Sequence, residues 1–353
     1  MFHKRAPRDL GTFQVDCRGS ESACNNACFY IRCLNKDNAD ANKLTFIGPN
    51  GNNGEDTKNR HESGCRVDNP RSASVCRSFP FSQHFTDKLA HDQDCDEWPP
   101  ALAQQAPFDP NPLVRPPNSL RCMPDSENRS LGAKLGNFLT SNGAARDDFF
   151  RVDFTTKINT ADQSKVKYCL NQFNGGKEPD CTQDGHQFGL VQKNVQNGKI
   201  SSPYNSNDGN DNRYQFLGTP YKEVYQCSVE FTRDGDKDIR SVVLSDWQNE
   251  EHFIADFKLE NIGDTYDMEG LPHKLQIKRT GNFGSKFEYF YAPADPVGQN
   301  INEFQWDSDM EGEGRGPATD AGNSNRFCYI KPDGSNKNTE ECWFPCYRNA
   351  NGR

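Results

Sequence analysis

The 353-residue chain has no apolar run approaching the ~18 residues a helix needs to cross a bilayer. It has no excess of positive charge either: 41 Lys and Arg face 50 Asp and Glu, for a net charge of -9. A protein that grips nucleic acid mainly by releasing counterions from many phosphates is therefore disfavoured, whereas an enzyme touching few phosphates is not. Hydrophobic residues are only 33% and mean hydropathy is -0.94. An aromatic share of 11% and frequent apolar alternation nonetheless argue against disorder. The opening MFHKRAPRDL lacks the apolar core of a signal peptide. Its Lys4-Arg5 pair reads as a dibasic processing site, so the expectation is a secreted precursor already trimmed of its signal. There is no G-x-S-x-G and no P-loop, and His252 in QNEEHF lacks the H-E-x-x-H spacing of a zinc protease.

Cysteine, by contrast, is abundant. The 14 cysteines fall eight within residues 1–150 and six beyond, so each part can pair internally. In a polar, Asn- and Gly-rich chain this reads as disulfide stapling in an oxidising compartment, hence an extracellular protein. Zinc is the rival, but no paired C-x2-C array supports it. Charge is uneven too: residues 1–150 hold 18 basic and 19 acidic side chains, and the remainder 23 and 31, so most of the negative charge lies in the second half.

The length suggests about two domains. Leu44–Ile47 and Phe149–Phe154 read as strands, and Asp125 or Ser126 caps a helix whose Leu131, Leu135, Phe138 and Leu139 form one stripe. Residues 193–212 read as a polar linker. Beyond it, alternation at Cys227, Val229 and Phe231, a turn at Asp234-Gly235, and further alternation at Leu275–Ile277 and Phe287–Tyr291 predict antiparallel strands. The expected architecture is α+β: a first domain over 1–155 with a cysteine-rich N-terminal extension, a loop-rich segment 156–212, and a mainly antiparallel, sandwich-like β domain over 213–353.

Two clusters carry chemistry. In HDQDCDEWPP, a strand ending before Pro99 would put Asp94 and Asp96 on one face and Cys95 and Glu97 on the other, with a disulfide at Cys95 pinning the back. Crowded carboxylates of this kind perturb one another's proton affinity, as acid–base or metal chemistry requires. In CMPDSENRSLGAKLGNFL, the helical wheel sets Asn128 beside the apolar stripe and turns Asn137, 900° further on, toward solvent.

Together these clusters resemble the NucA/NucB deoxyribonuclease family. DCDEWPPAL is similar to its D-x-D-E-[WY]-P motif, and Asn128-Arg129, Gly132, Leu135-Gly136-Asn137 and Leu139 are similar to its N-R-x-x-G…G-N-x-L helix. Cys65, Cys76, Cys95 and Cys122 with FPFSQHF resemble the disulfide-rich fungal branch. The resemblance spans roughly 60–155 and implies a ββα-metal-type nuclease domain, with one divalent ion (Mg or Mn) and DNA as substrate. It implies Asp96 as general base and Asn128 as metal ligand. Glu97 joins the catalytic pair or orients the hairpin, and Glu127 adds a carboxylate near the metal. Arg129 is the candidate phosphate clamp. Where the bacterial motif has Arg, this chain has Cys95; Arg77 or Arg121 would replace that phosphate contact. Asn137 completes the motif on the substrate side, although the wheel turns it away. Asn128-Arg129-Ser130 is also a glycosylation sequon, expected to be unmodified.

Weaker signals complete the reading. Asp307-x-Asp309-x-Glu311-Gly312 resembles the start of a calcium loop but lacks the closing Glu, Ala318 standing there; a solvated acidic loop is preferred. His84 and His91 are candidates for proton transfer. The expected function is a secreted, metal-dependent endonuclease with an accessory β domain whose partner is cell wall, carbohydrate or protein, and with no membrane partner. The rival is a non-catalytic, toxin-like binding protein on a nuclease scaffold.

Overall fold

The computed structural model describes residues 5–66, 74–77, 93–105, 118–170, 180–182, 184, 186–192, 195–196, 199–200, 213–218, 222–223, 225–246, 250–291, 304–309, 328–334 and 336–347. These fall into two units. The first collects the described residues within 1–67, 92–200 and 216–219, and the second those within 68–91, 201–215 and 220–353.

The first unit is mixed. Strand β1 (Asp9–Gln14) runs parallel to β5 (Phe149–Asp153), which pairs antiparallel with β2 (Lys43–Thr45). A second sheet contains β3 (Gln93–Trp98), β4 (Ser119–Pro124) and β6 (Gln187–Gln192), in the order β6-β4-β3 and all antiparallel. Gly189 lets β6 lie this close: a Cβ there would stand 2.9 Å from the Asn118 carbonyl and from the Leu217 side chain. Helix α1 (Glu21–Phe29) and helix α3 (Asp125–Ser141), with α2 (Glu55–Ser63) between them in sequence, complete the unit. Leu131, Leu135 and Leu139 of α3 are buried with Phe13, Phe29, Phe150 and Tyr168 in one core, and the Phe138 ring packs, tilted, against both Phe13 and Phe150.

Helix α1 has no apolar stripe because it is enclosed: every residue from Ala23 to Phe29 is buried, including Asn25 and Asn26. Its N-terminal amides need a partner, and the Glu127 carboxylate of α3 accepts the Ser22 N–H at 2.7 Å. Lys134 of α3 donates to the Asp16 and Arg18 carbonyls at 2.7 Å and to Ser20 Oγ at 3.0 Å, fixing the loop that leads into α1. Disulfides Cys17–Cys24, Cys28–Cys169 and Cys33–Cys181 do the rest. The last two cross the boundary expected at residue 155. The cysteines therefore do not pair within halves, and much of the 156–212 segment is bonded to the first unit, with β6 inside one of its sheets. The polar run expected as linker holds a small hairpin, Val195–Gln196 with Lys199–Ile200; the remaining residues of that run, 193–194, 197–198 and 201–212, lie outside the described residues.

The described residues of the second unit include two antiparallel sheets that face one another. One has the order Glu251–Ile254, Asp238–Ser245, Tyr225–Asp234, Lys337–Cys346, Cys328–Gly334; the other runs Thr265–Met268, Leu275–Arg279, Phe287–Tyr291, Phe304–Asp307. Their inner faces meet through Phe231 on Phe287 and through Trp306 and Tyr291 on Phe344. This is a β-sandwich, stapled by Cys227–Cys346 and Cys328–Cys342.

Candidate active site

The site is built on β3, β4 and α3, a hairpin running directly into a helix. Register sets Asp96 opposite Arg121 and Cys95 opposite Cys122. Alternation then sorts the faces. Cys95 and Glu97 point to the side of α2: Cys95 is bonded to Cys65, and Glu97 Oε1 lies 3.7 Å from Arg60 Nε. Asp94 and Asp96 point the other way, toward α3 and α1. Asp94 Oδ2 accepts from Asn128 Nδ2 at 3.1 Å, and Asp96 Oδ2 accepts from Asn26 Nδ2 at 2.8 Å.

Burial, reinforced by the negative charge of Asp94, pushes Asp96 up to about 7, against the pull of the Asn26 N–H and of Arg121. Glu97 is pushed further, to about 8, chiefly by burial and despite Arg60. A carboxylate tuned near neutrality is what a general base at physiological pH requires. Asn128 also donates to the Cys95 carbonyl at 3.4 Å. With its NH2 committed to β3, its Oδ1 has no partner among the described residues and is presented as a free oxygen donor. Asp94 thus fixes which atom of the Asn128 amide is left unbonded.

The remaining expected residues are placed as follows. Glu127 is turned onto the Ser22 N–H at the start of α1. Arg121 is buried, and its NH1 holds Asp184 Oδ2 at 2.7 Å and Gln187 Oε1 at 3.2 Å, while its buried Nε has no hydrogen-bond partner among the described residues. Burial works against Asp184 being charged, but Arg121 and His186 outweigh it and hold its carboxyl below the usual range. Arg129 is exposed and pairs with Asp125 at 2.9 Å. Asn137 is exposed, away from Asn128, as its angular offset requires. Arg77 ends a one-turn helix, Val75–Arg77, and its side chain, like His84 and His91, lies outside the described residues. In the second unit, Asp307 pairs with Lys286 at 2.6 Å and Asp309 N donates to Asp307 Oδ1, while Glu311 lies outside the described residues.

Sequence reasoning missed Asn26, Arg60, Asp184 and Gln187, and gave Asp94 no role. The one available signal was Cys24-x3-Cys28, which at helical spacing puts both sulfurs on one face and marks CNNAC as an anchored helix. Nothing in the sequence brings residues 184–187 to β4.

Two groups of His, Cys, Asp or Glu lie close enough to share an ion among the described residues, both in the second unit: Cys328, Glu340 and Cys342, and Asp246, Glu250 and His252. The first is closed to metal, since its two sulfurs are bonded to each other.

A strand hairpin carrying Asp96, whose proton affinity lies near neutrality, thus runs directly into a helix that presents the Asn128 amide oxygen. Residues 28–153 match the family model described as Deoxyribonuclease NucA/NucB. No curated protein and no solved structure matches the chain.

Proposed function

We propose that the first unit is a divalent-metal-dependent endonuclease that hydrolyses DNA phosphodiester bonds, with Asp96 as general base. The observation that carries this reading is the placing, beside one face of β3, of an Asp96 and an Asn128 whose Oδ1 atoms each have no partner among the described residues. The donor set fits a hard cation: it is all oxygen, with carboxylates close by, as Mg and Mn prefer. Asn128 Oδ1 would hold the ion, which when bound would polarise the phosphate and stabilise the leaving oxygen.

The chain's own residues do the remaining work. Asp96 Oδ1 takes the proton of the attacking water while Asn26 holds Oδ2. Arg121, opposite Asp96 in register, supplies positive charge at the floor of the site, and exposed Arg129 is placed to meet a phosphate from solution. Glu97 and Cys95 act from behind: the Arg60 pair and the Cys65–Cys95 disulfide hold the back of β3. Glu127 serves α1, and through α1 the position of Asn26. The disulfides support an oxidising, extracellular setting, and the acidic sandwich is read as an accessory module for a non-DNA partner.

The test is digestion of plasmid DNA by the full chain with Mn or Mg, with and without chelator. Cleavage that chelator abolishes and metal restores supports the proposal. Chelator-insensitive cleavage overturns the metal role, and no cleavage with either ion favours a binding protein on a nuclease scaffold.

A further inference from the structure

The groups that hold Asp96 come from outside the stretch that matches the nuclease family. Asn26 precedes residue 28, and Gln187 and Asp184 follow residue 153. They form a continuous buried chain. Asp184 accepts from Arg121, Arg121 donates to Gln187 Oε1, and that contact settles which end of the Gln187 amide is nitrogen. Gln187 Nε2 then faces three acceptors, Asn26 Oδ1, Ser119 Oγ and, at 3.1 Å, the Leu120 carbonyl, among which its two protons are shared. Ser119 Oγ donates to Asn26 Oδ1 at 2.7 Å.

With two donors on its oxygen, Asn26 presents only its NH2 to Asp96, reaching Oδ2 at 2.8 Å and the backbone carbonyl at 3.1 Å. Asn26, Ser119 and Gln187 are each fully enclosed. A flipped amide would therefore leave buried donors and acceptors facing their own kind, at a cost of ~1–3 kcal/mol for each orphaned group. Two disulfides, at Cys24 and Cys28, pin α1 on either side of Asn26.

We propose that Asn26 and Gln187, supplied by segments flanking the nuclease core, form with Ser119 of β4 a positioning relay that fixes the Asp96 side chain so that its Oδ1 is left to take a proton. The relay rests on the reading of Asp96 as base. Asn26 and Gln187 are positioning residues: Asn26 acts on the substrate through Asp96, and Gln187 through Asn26.

The test is steady-state DNA cleavage by the full, oxidised chain with Mn, comparing Asn26→Leu, Gln187→Glu and Asp96→Asn, with melting curves for each. Leu matches Asn in size but donates nothing; kcat should fall about 10²-fold, the scale of a misplaced catalytic group, with KM for DNA unchanged. Gln187→Glu replaces the donor facing Asn26 Oδ1 by an acceptor and should lower kcat comparably without touching Asp96. In the Asp96→Asn background, Asn26→Leu should add no further loss, as coupled residues require.

Wild-type kcat in both Asn26→Leu and Gln187→Glu, or a full additional loss in the Asp96→Asn background, overturns the relay. Should one variant fail to fold, the other decides. If Asp96→Asn itself keeps full kcat, the general-base reading falls and the relay with it. If Asp96→Asn is inactive while the relay variants are not, only the relay falls.

Discussion

Glu97 offers a test of the electrostatics that depends on no assumption about substrate. It is buried on the back of β3, 3.7 Å from an exposed Arg60, and it ionises at about 8 in the fold against an ordinary 4.5. In the unfolded chain it loses its proton near the ordinary value. Between these pH values the folded state binds the extra proton, so stability falls as pH rises through the window and is fully reduced above about 8. The window spans about 3.5 pH units, and at ~1.4 kcal/mol per unit the ceiling is on the order of 5 kcal/mol. Water penetration and the partly solvated Arg60 reduce this to about 2 kcal/mol.

Glu97→Gln keeps the shape and removes the ionisation. At pH 5, where wild-type Glu97 is protonated, the two proteins should melt together. At pH 9 the variant should melt higher by about 4–8 °C, at ~2–4 °C per kcal/mol for a unit of this size. Calorimetric melting at pH 5, 7 and 9 reads the difference directly. A gap that stays flat with pH, or a variant less stable at pH 9, would refute the reasoning, because it would mean that the Arg60 pair outweighs burial.

Asp148 should behave in the opposite sense. Although buried, it accepts the Arg8 and Ala145 N–H groups and both the Arg8 and Arg5 guanidinium groups, which together hold its carboxyl well below the usual range. Its contribution is present above about pH 4 and lost as pH falls below that. Asp148→Asn should cost about 2–3 kcal/mol at pH 7 and progressively less in acid, measured by urea denaturation. Replacing Cys28 and Cys169 together by Ser opens a loop of 141 residues and should cost on the order of 4–5 kcal/mol. Calorimetry should show a lowered transition for the first unit with the sandwich transition unmoved. Expression through a secretory host should leave Asn128 without glycan by intact mass, since its amide nitrogen is turned inward onto Asp94 and Cys95.

What the sequence made legible was local. Period-two alternation in β3 correctly separated Asp94 and Asp96 from Cys95 and Glu97, because a strand's side-chain directions follow from its backbone alone. The Leu131–Leu135–Leu139 stripe showed α3 because that helix has one buried and one wet face. Helix α1 escaped the same test because it is buried all round, and so has no stripe to find. The missed site residues fail for a related reason. Asn26, Asp184 and Gln187 are brought to the Asp96 face by disulfides joining residues 141 and 148 apart and by the pairing of β4 with β6, and neither composition nor spacing encodes that closure. The internal pairing expected on either side of residue 150 went wrong at the same place: Cys169 and Cys181 lie beyond that residue in sequence but are bonded to Cys28 and Cys33 before it.

The account stands most directly on Asp96→Asn. Asn is nearly isosteric and can still meet Asn26 through its carbonyl oxygen, so the fold should be kept, with an unchanged melting temperature. It has no proton-accepting carboxylate, so the account expects plasmid cleavage with Mn or Mg to fall by about 10³-fold or more while DNA affinity is retained. Wild-type cleavage rates in a folded Asp96→Asn protein would contradict the assignment of Asp96 as the base.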